Sequence, residues 1–312
     1  MDITLMIEGQ EDVTWGQWVA LARACEDHGL QGLFRSDHYT SVQGYEDRGS
    51  LDAWATLSAL GAITERIRLG TLVSPVTFRH PSELAKAVTT ADHVSGGRVE
   101  LGIGAGWQER EHAAYGFPFP PLGERMDMLE EQLAIIHGQW TEDPFTFDGE
   151  HWRLDAVRSL PRPVQTPHPP IVMGGMAGPR SAALAARYAD EYNTVFPPFD
   201  VVVERRDAIA RAWADAGRDV DALRFSIMTG CVIGETTGDV EDRARAIMER
   251  SDAGDDVDGW VGRMRDGGWV IGTVDEAASH LERLGQVGVT RIMLQHQSHA
   301  DVDMVALMGR LG

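Results

Sequence analysis

The chain has 312 residues, 43% of them hydrophobic and 24% charged, with a formal net charge of −20. That balance is globular, and the length suits either two domains or one large α/β barrel. The charge excludes a general binder of nucleic acid or of an anionic membrane, although a local basic pocket for an anionic cofactor stays open.

Strands and helices alternate along the chain. Strand Ile3–Ile7 leads to a helix over Trp15–His28, capped by Thr14 and ended by Gly29. Strand Gly32–Arg35 leads to helix Leu51–Thr64. The β-branched strand Ile67–Val73 leads to a helix opening at Ser82 and stopping near Ser95-Gly96-Gly97. Strand Val99–Ile103 precedes the amphipathic helix Arg125–Trp140. Strands Ile171–Met173, Tyr192–Phe196 and Phe225–Ile233 precede helices Arg180–Tyr188, Val201–Ala216 and Asp239–Arg250. A further helix, Val274–Leu284, precedes strand Arg291–Gln295 and helix Val302–Arg310. Eight strands, nearly all followed by helices, imply parallel pairing through right-handed crossovers. The fold read from this count is an α/β (β/α)8 TIM barrel with insertions in several βα loops, one domain over 1–312. An open doubly wound sheet is the alternative.

Three stretches interrupt the repeat. Tyr39–Ser50 is a polar loop. Thr141–Pro169 is rich in proline and aromatics and suggests a small hairpin. Ser251–Gly268 carries Asp252, Asp255, Asp256 and Asp258 and reads as a solvated acidic linker. Cys25 and Cys231 lie far apart and read as buried thiols rather than a disulfide. The N-terminal MDITLMIEG has no basic segment and no long apolar core, so a cytoplasmic protein is expected.

Active sites of such barrels lie at the C-terminal strand ends. After the second strand stand Asp37 and His38, the best acid–base candidates. After the fourth stands Gly104-Ala105-Gly106-Trp107. It fails the dinucleotide fingerprint but leaves room for a flat ring that Trp107 could stack on or wall. After the fifth stands Gly174-Gly175-Met176-Ala177-Gly178, feeding a helix. Backbone N–H groups there could hold a phosphate, or the segment is a plain βα loop. Gly272-Thr273 is a rival phosphate site. Glu109-x-x-His112 has a metal-ligand spacing without the second copy a di-iron site needs, and metal is not expected.

With these residues in place, the chain resembles the bacterial luciferase-like oxidoreductases, most closely the branch that uses coenzyme F420, a deazaflavin. FRSDHY (Phe34–Tyr39), RIRLGTLVSPVTFRHP (Arg66–Pro81), SGGRVELGIGAGW (Ser95–Trp107) and PHPPIVMGGMAGPRSAALAARYADEYN (Pro167–Asn193) carry the resemblance. It implies a barrel holding a flavin or deazaflavin at the strand ends, with His38 near the ring. Thr71, Leu72 and Val73 match a bulge behind the ring where relatives carry a cis non-proline peptide. Ala105 and Gly106 match the segment beside the cofactor chain, and Gly174, Gly175, Ala177 and Gly178 the phosphate loop. Relatives that oxidise sugar phosphates carry glutamate where this chain has Trp107. The implied reaction is hydride transfer between F420 and a small organic substrate, with His38 giving or taking the proton. A reduced-FMN-dependent monooxygenase using O2 is the alternative. A non-catalytic flavin-binding barrel is the second, and it would be expected to lack His38 or the glycine loop. Arg79, Arg110 and Arg180 are candidates for the anionic tail of F420. A small-molecule substrate is the expected partner, with no nucleic acid and no membrane; a homodimer is left open.

Overall fold

The structure, a computed structural model, describes residues Met1–Gly312. Its strands are β1 (Asp2–Ile7), β2 (Gly32–Arg35), β3 (Arg68–Thr71), β4 (Ser74–Pro75), β5 (Val99–Gly104) and β6 (Phe145–Asp148). They continue as β7 (Arg153–Val157), β8 (Ile171–Gly174), β9 (Glu191–Val195), β10 (Arg224–Gly234), β11 (Val270–Thr273) and β12 (Arg291–Gln295). Eight of them, β1, β2, β3, β5, β8, β9, β10 and β12, pair in parallel in that order and close through β12–β1. They are the eight strands expected from the sequence, so the barrel reading holds and the open sheet does not.

Alternation along each strand sends one set of side chains outward and the other inward. The outward set, such as Ile3, Leu5, Leu33, Leu69 and Leu101, packs against the apolar faces of the surrounding helices as the main core. The inward set forms layers. An apolar plug of Met6, Phe34, Val172, Met228 and Met293, with Leu72, fills the middle. Phe34 fits because Gly70 faces it: a Cβ there would stand 2.5 Å from the Phe34 ring. Toward the closed end sits a buried ionic set. Arg291 donates to both oxygens of Glu100, at 2.7 and 3.1 Å, and its Nη2 lies 3.4 Å from Glu191 Oε2. Arg68 pairs with Glu100 from the edge.

The insertions differ from expectation in one place. The hairpin β6–β7 forms within Thr141–Pro169 as read. Ser251–Gly268 is not a linker: it contains helix Val257–Asp266, capped by Asp256, whose Trp260 is buried. β11 was also hidden, because its partner is the far half of the eleven-residue β10 rather than the barrel proper. Val232, Ile247, Met248, Trp260 and Ile271 give this extension its own apolar cluster. Both cysteines are free and buried, and burial pushes their thiols up in pKa. No helix is long and apolar enough to cross a membrane.

Candidate active site

A cavity of about 930 Å³ opens at the C-terminal ends of the barrel strands. His38 lies on its wall with a side chain 14% exposed. Its Nδ1 is 2.8 Å from Glu111 Oε2. An ionised carboxylate can only accept, so Nδ1 donates and Nε2 is the ring nitrogen left for chemistry. Glu111 has no exposed side-chain surface, and its other oxygen accepts from the backbone N–H groups of Tyr39 and Thr40. Burial works against the imidazolium of His38, but the Glu111 carboxylate outweighs it and His38 titrates above the ordinary histidine value. Burial likewise opposes ionisation of Glu111, and the bond to His38 overcomes it, so the carboxyl is held low. Trp107, 63% exposed, stands edge-on to His38 with ring centroids 5.6 Å apart.

Asp37 is not part of this pair. It is 1% exposed and does not line the cavity. Its carboxylate receives Arg79 at 2.6 and 3.1 Å and the Ser74 hydroxyl at 2.6 Å. Neighbouring residues of an extended segment face opposite ways, which sends His38 into the cavity and Asp37 beneath it. The expected catalytic role for Asp37 is therefore corrected to anchoring the segment behind the cavity floor. Arg79, also bound to Asp52, is consumed by the same ion set.

The connection from β3 to β4, which Asp37 anchors through Ser74, carries a cis peptide between Leu72 and Val73. Thr71 stays behind it, its hydroxyl donating to the Gly102 carbonyl at 2.8 Å, while Leu72 and Val73 face the cavity. Val73 rests against Gly104 and Gly174: a Cβ on either would come within 2.9 or 3.0 Å of a Val73 methyl. The result is a flat ledge of bare backbone. Ala105, Gly106 and Trp107 continue it, with Gly106 at φ +78°, where glycine carries no Cβ penalty.

The loop Gly174–Gly178 forms the adjoining rim, since β8 pairs with β5. Gly174, Gly175, Met176 and Gly178 line the cavity; Ala177 turns away, its N–H donating to the Tyr192 hydroxyl at 2.8 Å. Tyr192 also bonds Ser181 and so braces the loop from below. Gly178 is the N-cap of helix Pro179–Tyr188, and no side chain caps that end. The rival at Gly272-Thr273 differs: Glu276 already occupies it, accepting the Thr273 N–H at 2.8 Å within a capping box. The first helix end is open to an anion, and the second is filled by its own carboxylate. Arg180 lies on the same rim, shared with Asp127 and Glu130. Arg110 donates to the Ser41 carbonyl instead.

These parts fit a phosphate-bearing flavin or deazaflavin. The ledge offers a flat ring a seat that depends on glycine at 104 and 174, where any side chain would displace Val73, and the open helix end with Arg180 suits the phosphate. Leu122, Met126 and Leu129 offer apolar cover between them. Among the clustered His, Cys, Asp and Glu side chains, no group has a metal-binding arrangement. Glu111 and Tyr192 were the residues missed in the sequence. Glu111 sits inside the Glu109-x-x-His112 spacing, and its helix, Glu109–Tyr115, has no apolar period that would mark Glu111 as buried.

Fold and site together define a parallel barrel whose cavity at the C-terminal strand ends fits a flat, phosphate-bearing cofactor. The sequence matches the luciferase-like monooxygenase family over residues 3–291, and the chain belongs to that family, whose members are F420- or flavin-dependent oxidoreductases. It is 36% identical over 178 residues to an F420-dependent glucose-6-phosphate dehydrogenase of Nakamurella multipartita, a match covering 56% of this chain and 50% of the relative. It is 28% identical over 229 residues to an FMNH2-dependent dimethylsulfone monooxygenase of Pseudomonas putida, covering 73% of this chain and 60% of that one. An F420-dependent secondary alcohol dehydrogenase, solved with an F420-acetone adduct, shares the fold with a TM-score of 0.83 at 19% identity, over 100% of this chain and 98% of that one.

Proposed function

We propose that this protein moves a hydride between coenzyme F420 and a small organic substrate, with His38 giving or taking the accompanying proton. The observation that carries the reading is the His38–Glu111 pair set on the cavity wall beside the glycine ledge. Bound on that ledge, the deazaflavin would supply the hydride carrier. The protein's part is to seat the cofactor, exclude water and manage one proton. Gly104, Ala105, Gly106 and Val73 would hold the ring, and the open helix end at Gly178 with Arg180 the phosphate. Glu111 fixes the His38 tautomer, so that Nε2 accepts a proton from an alcohol or returns one to a carbonyl. The 36% identity to an F420-dependent dehydrogenase supports F420 over FMN. Trp107 in place of the sugar-phosphate branch's glutamate argues for a different substrate.

Reduced-FMN monooxygenation is the second reading, favoured by the fact that the ledge and helix end suit either phosphate-bearing cofactor. Titrating the purified protein with F420 and with FMN, followed by fluorescence, separates the two. Tight binding of F420 with weak binding of FMN is expected. Tight binding of FMN alone would reverse the choice, and binding of neither would favour a non-catalytic barrel.

The proton role makes its own prediction. Glu111→Gln removes the charge that raises the His38 pKa, so the pH at which turnover half-saturates should fall. In the alcohol-oxidising direction neutral His38 is the active form, and the acid limb of the profile should therefore move to lower pH. A profile that keeps its midpoint while only its height drops would remove Glu111 from proton control.

A further inference from the structure

Asn193 lies on β9 with no exposed surface. Along that strand the inward set runs Glu191, Asn193, Val195: the first joins the ionic layer, and the last lines the cavity. Asn193 stands between them and reaches the cavity wall beside Gly174, Val195 and Met228. Its Nδ2 donates to the Ser226 hydroxyl at 2.8 Å. Its Oδ1 has no hydrogen-bond partner. Native proteins rarely leave a buried amide oxygen unpaired, because desolvating it without a partner costs stability. Asn193 belongs to the cavity lining, so its unpaired oxygen lies where a ligand donor can supply the missing bond.

We infer that Asn193 Oδ1 accepts a hydrogen bond from the bound cofactor, through the imide N–H of its ring or a hydroxyl of its ribityl chain. This rests on the cofactor reading above. The two groups are the uncharged donors that flavin and deazaflavin share. The neighbouring ledge of Gly104 and Gly174 supplies shape without donors or acceptors from side chains. Asn193 thus gives the flat ledge a polar reference point, fixing which edge of the ring turns inward. It is a positioning residue in this account, distinct from His38 and Glu111 on the opposite wall.

The test compares Asn193→Leu, close in volume but without an acceptor, and Asn193→Ala with the parent protein, using F420, FMN and lumiflavin. Each variant is also melted without cofactor. Asn193→Leu should weaken binding of the cofactor the parent protein takes by about tenfold, while its cofactor-free melting temperature changes little, because loss of the bond to Ser226 is offset by removal of the unpaired oxygen. Lumiflavin keeps the imide and lacks the ribityl chain. Loss of lumiflavin affinity assigns the bond to the ring; loss for FMN or F420 with lumiflavin unchanged assigns it to the chain. Unchanged affinity of Asn193→Leu, or affinity lost only in step with a lower melting temperature in both variants, overturns the inference and leaves the proposed function standing. Absence of binding by the parent protein overturns both.

Discussion

The His38→Ala variant is expected to lose turnover by roughly two to four orders of magnitude while its cofactor affinity stays close to that of the parent. The separation follows from where the groups lie. His38 is tied to Glu111 through Nδ1, and the ledge and open helix end that would hold the cofactor come from β5, β8 and helix Pro179–Tyr188. Removing the imidazole takes away the proton path without touching those parts. The fold should persist, because Glu111 keeps its bonds from the Tyr39 and Thr40 backbone. Steady-state kinetics beside a cofactor titration make the measurement. Undiminished turnover would exclude His38 from the chemistry, and a matching loss of cofactor affinity would recast it as a binding residue.

The second large effect falls on stability. Glu100→Gln should lower the free energy of unfolding by about 3–5 kcal/mol, because it leaves the buried Arg291 with a displaced charge balance inside the barrel. Burial opposes the charge on Glu100, yet the Arg291 guanidinium overrides it and holds the carboxyl well below its usual range. The sign is that of a depressed acid. Its contribution is complete above the unfolded carboxylate value and is lost only as pH falls through the lower folded value. Glu191 moves the other way, raised by burial that Arg291 only partly offsets, so the set tolerates one firm carboxylate better than two. Urea unfolding of the variant tests this. A loss under about 1 kcal/mol would show that the set contributes little. Replacing Glu100, Glu191 and Arg291 together by apolar residues of similar volume should recover most of the loss, because the desolvation penalty disappears with the charges.

The barrel was legible because its signal is periodic and repeated. Eight short apolar runs each feed a helix, and no single misread element changes that count. The glycines at 104, 174, 175 and 178 were legible for another reason: they sit at strand ends, where a missing side chain has few purely structural uses. What stayed hidden depended on partners distant in the chain. Glu111 meets His38 across 73 residues of separation, and nothing local in its helix announces that bond. Asp37 was misplaced by adjacency, since neighbours in sequence point to opposite sides of a strand end. Helix Val257–Asp266 was masked by its aspartates. Asp256 is its cap and Trp260 its one buried side chain, while Asp252 and Asp255 stand exposed ahead of it, so an acidic lead-in concealed a packed helix. β11 needed the overhang of β10 to exist at all.

That overhang divides the site by ownership. The ring ledge belongs to the barrel and shares its core, so its shape is bound to the stability of the whole. Ile247, Arg250 and Ser251, which close the cavity from the other side, belong to the β10–β11 extension and rest on a separate apolar cluster. Its tie to the β2 loop is the hydrogen bond from Arg48 to the Arg250 carbonyl. The two walls of the cavity are thereby carried by different pieces of the chain, one resting on the barrel core and the other on a separate apolar cluster.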